Sequence, residues 1–149
     1  MRIWDLPVQI LCDQHLLGEH RELHAIWTYL TTDKGGSYRK HPETLRWVGK
    51  ELALAKRHSE EVREMMKRGF DHHSSLPLFV SNDKSSEDQN NYVNTLTEQI
   101  QNIKSKHCKC NLKLLKQIYV QRSRARETER SESTKVEQQQ RTEEAQSKL

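Results

Sequence analysis

An all-α fold, a compact three-helix domain with a long, polar, disordered C-terminal tail, is what three features of this 149-residue sequence predict. Its apolar residues recur at steps of three, four and seven, the spacing of one helix face, and nowhere alternate as a half-buried strand would. Gly and Pro clusters fall between those runs and mark the connections. With 33% of residues hydrophobic and 31% charged, only about two-thirds of the chain can share a core. The domain reads as residues 1–120, and 121–149 as a charged low-complexity tail.

Pro7 suits the first turn of the first helix, with Asp5 or Leu6 just outside it. Leu16, Leu23 and Leu30 then recur at seven-residue spacing beside Trp27, which makes one buried stripe. The loop TTDKGGSYRK breaks at Gly35 and Gly36. In HPETLRWVGK a second helix starts at Pro42, and its inward residues Leu45, Val48, Leu52, Ala55, Ser59, Val62 and Met66 run until Gly69. His58 reads as helix surface, and the Met65, Met66 pair as core. After HHSSLPLF and the polar linker SNDKSSEDQNN, a third helix spans about Val93 to Lys106, with Leu96, Ile100 and Ile103 facing inward. From Glu127 the chain mixes both charge signs and has no aromatic residue. Little there can be buried to offset the entropy of ordering, so it reads as disordered or as a fraying helix.

No apolar run is long enough for a membrane span, and MRIWDLPVQIL lacks the pattern of a signal peptide, so a soluble, intracellular protein is expected. Cys12, Cys108 and Cys110 are an odd number without disulfide-framework spacing, which fits a reducing compartment. The HCKC run at 107–110 invites a zinc reading. A structural zinc needs four ligands, however, and the nearest candidates by sequence, His72 and His73, belong to another loop, so free thiols are expected. Charge is distributed unevenly. Residues 1–80 carry 12 basic and 11 acidic side chains, whereas 101–126 carries eight basic groups and no acid, a composition suited to a polyanion.

The stretch DQHLLGEHRE, residues 13–22, places polar residues inside an otherwise apolar helix. His15 and Glu22, seven residues apart, differ by only about 20° around the helix, with Gly18 and Glu19 close to the same line. Gly18, one turn before Glu22, leaves space where a side chain would stand. Glycine costs roughly 0.5–1 kcal/mol in a helix interior, so that space calls for a use. Spacing alone leaves two readings open: a site, or solvated polar residues with a glycine that relieves helix packing.

The runs MRIWDLPVQILCDQHLLGEHREL, HPETLRWVGK and EMMKRGF resemble the pyrimidine-dimer DNA glycosylase family, the phage-type endonuclease V that excises ultraviolet photoproducts. The likeness covers roughly residues 1–75. It implies a three-helix fold, combined glycosylase and abasic-site lyase activity, no metal or organic cofactor, and a nucleophile that is the α-amine of the first residue. Alignment on DQH and HRE puts Met1 at that position, beside Arg2. Methionine is removed efficiently only before small residues, so Met1 is expected to remain. An α-amine has a reference pKa of about 7.7–8.0 against about 10.4 for lysine, so far more of it is free base at neutral pH. The resemblance makes Glu22 the carboxylate that stabilises the charge developing at the sugar and assists proton transfer. Glu19 stands where it could tune Glu22. Arg2, Gln14, His15 and Arg21 match positions that contact DNA near the lesion, and Lys104 and Lys106 match the basic end of the third helix.

Two departures bear on lesion recognition. Ala25 stands where the family carries an arginine, a role open to His24 or Lys34, and the family's tyrosine-rich C-terminus is missing, Tyr119 being the only aromatic after Tyr92. Basic residues without aromatics hold a backbone but do not stack on bases. The expected protein is a monomer acting on damaged double-stranded DNA, cytoplasmic and nucleoid-associated when bound. The alternatives are a catalytically silent DNA-binding protein on the same scaffold, or a glycosylase and lyase for another lesion.

Overall fold

A computed structural model describes residues 2–77 and 85–146, the side chains of 131 and 134–146 excepted. Regular structure among these residues is entirely helical: a 3-10 turn at Val8–Ile10, α1 (Asp13–Thr31), a 3-10 turn at Gly36–Lys40, α2 (Pro42–Leu45), α3 (Glu51–Lys67), α4 (Leu96–Ser105) and α5 (Leu112–Gln146). None of the helices among the described residues is long and apolar enough to cross a membrane. Contacts divide the chain into two units, residues 1–111 and 112–149.

In the first unit α1 packs against α3. Leu23, Ile26 and Trp27 of α1 meet Trp47, Ala53 and Leu54 around the buried Ile3. The α1 stripe is the predicted one, with Leu16 and Leu23 fully buried and Leu30 packed at the edge. The helix begins later than predicted, because Pro7 leads into the 3-10 turn and Cys12 is the residue that precedes α1. Arg68 fixes that start by donating to the Leu11 carbonyl at 2.7 Å and to Asp13 at 3.0 Å. Past α1, Gly35 has φ +115°, and a Cβ there would lie 2.5 Å from the Tyr29 ring, so the turn requires glycine.

The second predicted helix is interrupted. Pro42 at its first position and the His41 cap start α2, but the chain turns after Leu45 and resumes as α3 at Glu51, with Gly49 at φ +72° between. Ser86 donates to the Gly49 carbonyl and accepts from Ala53, and these bonds hold the break. The turn shifts the inward register, leaving Leu45, Val48, Leu52 and Met66 exposed while Trp47, Ala53, Leu54, His58, Glu61 and Met65 are buried. His58, read as surface, is therefore interior. At the far end Gly69 (φ +84°) and Phe70 donate to Met66 and Met65 and close the last turn as a Schellman motif.

α4 starts from a capping box in which Thr95 and Glu98 satisfy each other's backbone amides. It buries Gln99 and Ile103, with Leu96 and Ile100 half-buried. Gln99 accepts from the Asp5 amide and donates to the Asp5 carboxylate, each at 2.9 Å. Arg46, nearly fully buried, binds Glu43 at 2.7 Å, Asp5 at 2.8 Å and the Ile3 carbonyl at 2.9 Å. The Ile3 amide donates to Glu43 at 3.2 Å. Three side chains, Glu43 and Arg46 of α2 and its C-cap and Gln99 of α4, thus clamp residues 3–5, and this clamp sets the path by which the chain leaves its N-terminus.

Among the described residues the second unit is α5 alone. α5 takes in residues 121–146 of the tail read as disordered or as a fraying helix, and its described side chains between 121 and 130 are exposed, as a stretch with little to bury requires. Its Arg, Lys, Glu and Gln residues have high intrinsic helix propensity although they bury little.

Candidate active-site cleft

One face of α1 lines a cleft of about 540 Å³. Gln14, His15, Gly18, Arg21 and Glu22 come from α1, with the buried Glu19 beneath them; Arg2 and Trp4 come from the clamped N-terminal segment and Lys106 from the end of α4. A Cβ on Gly18 would meet no atom within 4 Å, so the glycine opens space in the cleft and does not relieve a close contact. Of the two readings that spacing allowed, the packing one fails here. Arg2 donates to Asn94 at 2.9 Å and its guanidinium lies 4.9 Å from the Trp4 ring centre, so the residue after Met1 is held at the cleft wall.

Six of the eight residues marked from the sequence therefore meet in one cleft: Arg2, Gln14, His15, Arg21, Glu22 and Lys106. Lys104 is exposed on α4 and does not line it, and Met1 lies outside the described residues. Helix phase put the α1 residues together, and the clamp on residues 3–5 brought Arg2 to them. The His24 ring is half-buried in the histidine group described below and does not line the cleft; Lys34 is exposed in the loop after α1.

Beneath the cleft lies a polar network that the sequence did not reveal. Glu19, 2% exposed, accepts from Arg57 at 2.7 Å, and Arg57 also donates to the Leu6 carbonyl at 2.9 Å. Glu61, fully buried, lies 4.0 Å from the Arg57 guanidinium, and both carboxyls are held above the usual carboxylate range. Burial is the main cause: it raises Glu19 to about 8 and Glu61 to about 7, against the pull of Arg57. Glu61 also binds His20 Nδ1 at 2.9 Å. Glu19 is thus committed to the interior, joined to α3 by Arg57.

Four histidines gather beyond Glu61. The His20 ring stacks on His58 at 4.9 Å, His24 meets both edge-on at 4.7 and 5.0 Å, and His72 packs against His20 and His58 at 5.1 and 5.4 Å. Burial lowers all four, His58 to about 4, so the rings are neutral. A second group joins the two ends of the first unit. His15 Nδ1 lies 3.1 Å from Cys12 Sγ and 3.3 Å from Cys110 Sγ, and Cys108 completes the set. The ligand count that argued against metal at HCKC used the wrong neighbours, since Cys12 and His15 stand beside Cys108 and Cys110, while His72 belongs to the histidine group. The paired spacings Cys12-x-x-His15 and His20-x-x-x-His24 were the sequence signals for these groups.

No curated protein and no solved structure matches the chain. A sequence model of the family described as pyrimidine dimer DNA glycosylase matches residues 1–78, more than half of the 149. The match contains every α1 residue of the cleft, together with Arg2, Trp4 and Arg57. The chain belongs to the pyrimidine dimer DNA glycosylase family.

Proposed function

We propose that the protein excises ultraviolet pyrimidine dimers from double-stranded DNA and cleaves the resulting abasic site, acting as a monomer through the α-amine of Met1. The observation that carries this reading is that Arg2, the residue after Met1, lines the same cleft as Glu22 and the open space at Gly18.

The free-base amine attacks C1′ of the damaged nucleotide as the glycosidic bond breaks and its electron pair leaves with the base. Loss of a proton from the amine and opening of the sugar ring give a Schiff base between Met1 and C1′. Glu22 faces the cleft with Arg21 about 100° away around the helix, so the carboxylate can stabilise the cationic sugar while the guanidinium takes a phosphate. A base then removes a proton from C2′, the C3′–O bond breaks, and water releases the amine from the imine. Glu22 is the cleft carboxylate suited to these proton transfers, because Glu19 is buried and already bound to Arg57. The Arg2 guanidinium, next to Met1 in the chain, favours the free-base form of the amine. Gln14, His15 and Lys106 at the rim supply polar and cationic groups for the backbone around the lesion. Lys104 and the basic run to residue 126 extend that positive charge in sequence.

Incision assays on three duplexes test this: one with a cyclobutane dimer, one with an abasic site and one undamaged. Cleavage of the first two but not the third is expected. Cleavage of the abasic duplex alone would remove the dimer specificity, and binding without cleavage of either would leave a DNA-binding protein on a glycosylase scaffold.

A further inference from the structure

We propose that Cys12, His15, Cys108 and Cys110 form a structural zinc centre that ties the start of α1 to the turn after α4 at the rim of the cleft. The four ligand atoms all lie within 4.8 Å of one another. A tetrahedral zinc with Zn–S of about 2.3 Å and Zn–N of about 2.0–2.1 Å has S–S edges of about 3.8 Å and S–N edges of about 3.6 Å. The His15 Nδ1 distances of 3.1 and 3.3 Å to two sulfurs are within a few tenths of an ångström of that edge.

The backbone is arranged for the same end. His107, just before the Cys108-x-Cys110 pair, is the one non-glycine residue among those described with positive φ, at 49°. That turn brings both cysteines back to α1, where the Cys12 amide donates to Cys110 Sγ at 3.2 Å and the Asn111 amide to the Ile10 carbonyl at 2.7 Å. Three thiolates and a neutral imidazole around Zn²⁺ carry one net negative charge, which Lys106 and Lys109 nearby offset. Zinc at this point holds Lys106 and His15 where the cleft needs them, and leaves the Nε2 of His15 as its only group for DNA.

Separate observations carry a second centre, and we infer that His20, His24, His58 and His72 bind one divalent transition-metal ion. Their ligand nitrogens also lie within 4.8 Å of one another. His24 Nε2 and His58 Nε2 are 3.3 Å apart, close to the N–N edge of about 3.3 Å expected for a tetrahedral site. The Nε2 atoms of His20 and His72 are buried without a hydrogen-bond partner. His20 is 6% exposed and binds Glu61 through Nδ1, the arrangement in which a carboxylate orients a ligating imidazole. An all-imidazole set suits zinc, copper, nickel or ferrous iron better than magnesium or calcium.

The experiment uses full-length protein without a histidine tag, purified without chelator. Elemental analysis should give about two equivalents of transition metal per chain, with zinc among them. Cobalt reconstitution should show a sulfur-to-cobalt charge-transfer band that Cys110→Ser removes and His58→Ala leaves in place, each variant losing one equivalent. Folding is checked by circular dichroism. Wild-type protein alone provides a further arm: zinc should slow thiol alkylation at least about tenfold, and chelator should restore it. Three thiols that alkylate at one rate with or without zinc, or that are found disulfide-bonded after reduction and zinc addition, would overturn the first centre. Wild-type protein that takes up thiolate-bound cobalt and no second equivalent would overturn the second.

Discussion

The two polar faces of α1 differ in what their polarity does. On one face Gln14, His15, Arg21 and Glu22 border open space around Gly18. On the other Glu19, His20 and His24 are turned to α3 and its neighbours, where Arg57, Glu61 and His58 meet them. Successive residues belong to different worlds: Glu19 and His20 are buried, Arg21 is exposed and Glu22 is half-buried at the cleft. A charged residue in an amphipathic helix is therefore no guide to its surroundings until the facing element is known. Gln14, Arg21 and Glu22 of the cleft face can change with little effect on folding, and the buried face cannot.

The largest expected effect follows from the buried face. Arg57→Ala strands two carboxyls that share that guanidinium, and unfolding free energy should fall by about 3–5 kcal/mol, read from the urea midpoint. A loss below about 1 kcal/mol would mean that the network is not a structural unit. Glu22→Gln should do the reverse: the same urea midpoint as wild type and unimpaired binding to damaged duplex, with turnover lower by at least about 10². Equal losses in stability and turnover would erase the distinction between the faces.

Smaller effects sharpen it. Gly18→Ala should raise stability by about 0.5–1 kcal/mol, because the helix gains a better former and the methyl meets no atom. The same methyl occupies the cleft, so dimer incision should drop on the order of tenfold as the melting temperature rises. Unchanged incision would show that the space beside Glu22 is not used. Arg21→Ala should leave chemistry on bound DNA intact and reduce the salt-dependence slope of binding by about one, measured by fluorescence anisotropy across a salt series.

Spacing within one helix put His15, Gly18 and Glu22 on one face, whereas Gln14 and Arg21 were marked by the family resemblance. Local pattern likewise marked the Leu16, Leu23, Trp27 stripe, and Pro42, Gly35 and Gly69 as helix boundaries. What escaped depends on contacts between segments far apart. The α2–α3 break rests on Ser86 bonding beside Gly49, and with it goes the inward register that buries His58 and exposes Met66. Arg57 is 38 residues from Glu19, and Cys110 is 95 from His15, so no local pattern joins either pair. The clamp of Arg46 on Asp5 and Ile3 spans 41 and 43 residues, yet it is what carries Arg2 to the cleft.

The central claim is that the chain's own first amine is the nucleophile, and borohydride trapping tests it most directly. Protein incubated with an abasic-site duplex and borohydride should form a covalent adduct whose attachment maps by mass spectrometry to the α-nitrogen of Met1. Acetylation of that nitrogen should abolish the adduct, because an amide nitrogen has no basic lone pair. An adduct that maps instead to a lysine, such as Lys106 at the rim or Lys34 in the loop, and that survives acetylation of Met1, would contradict it.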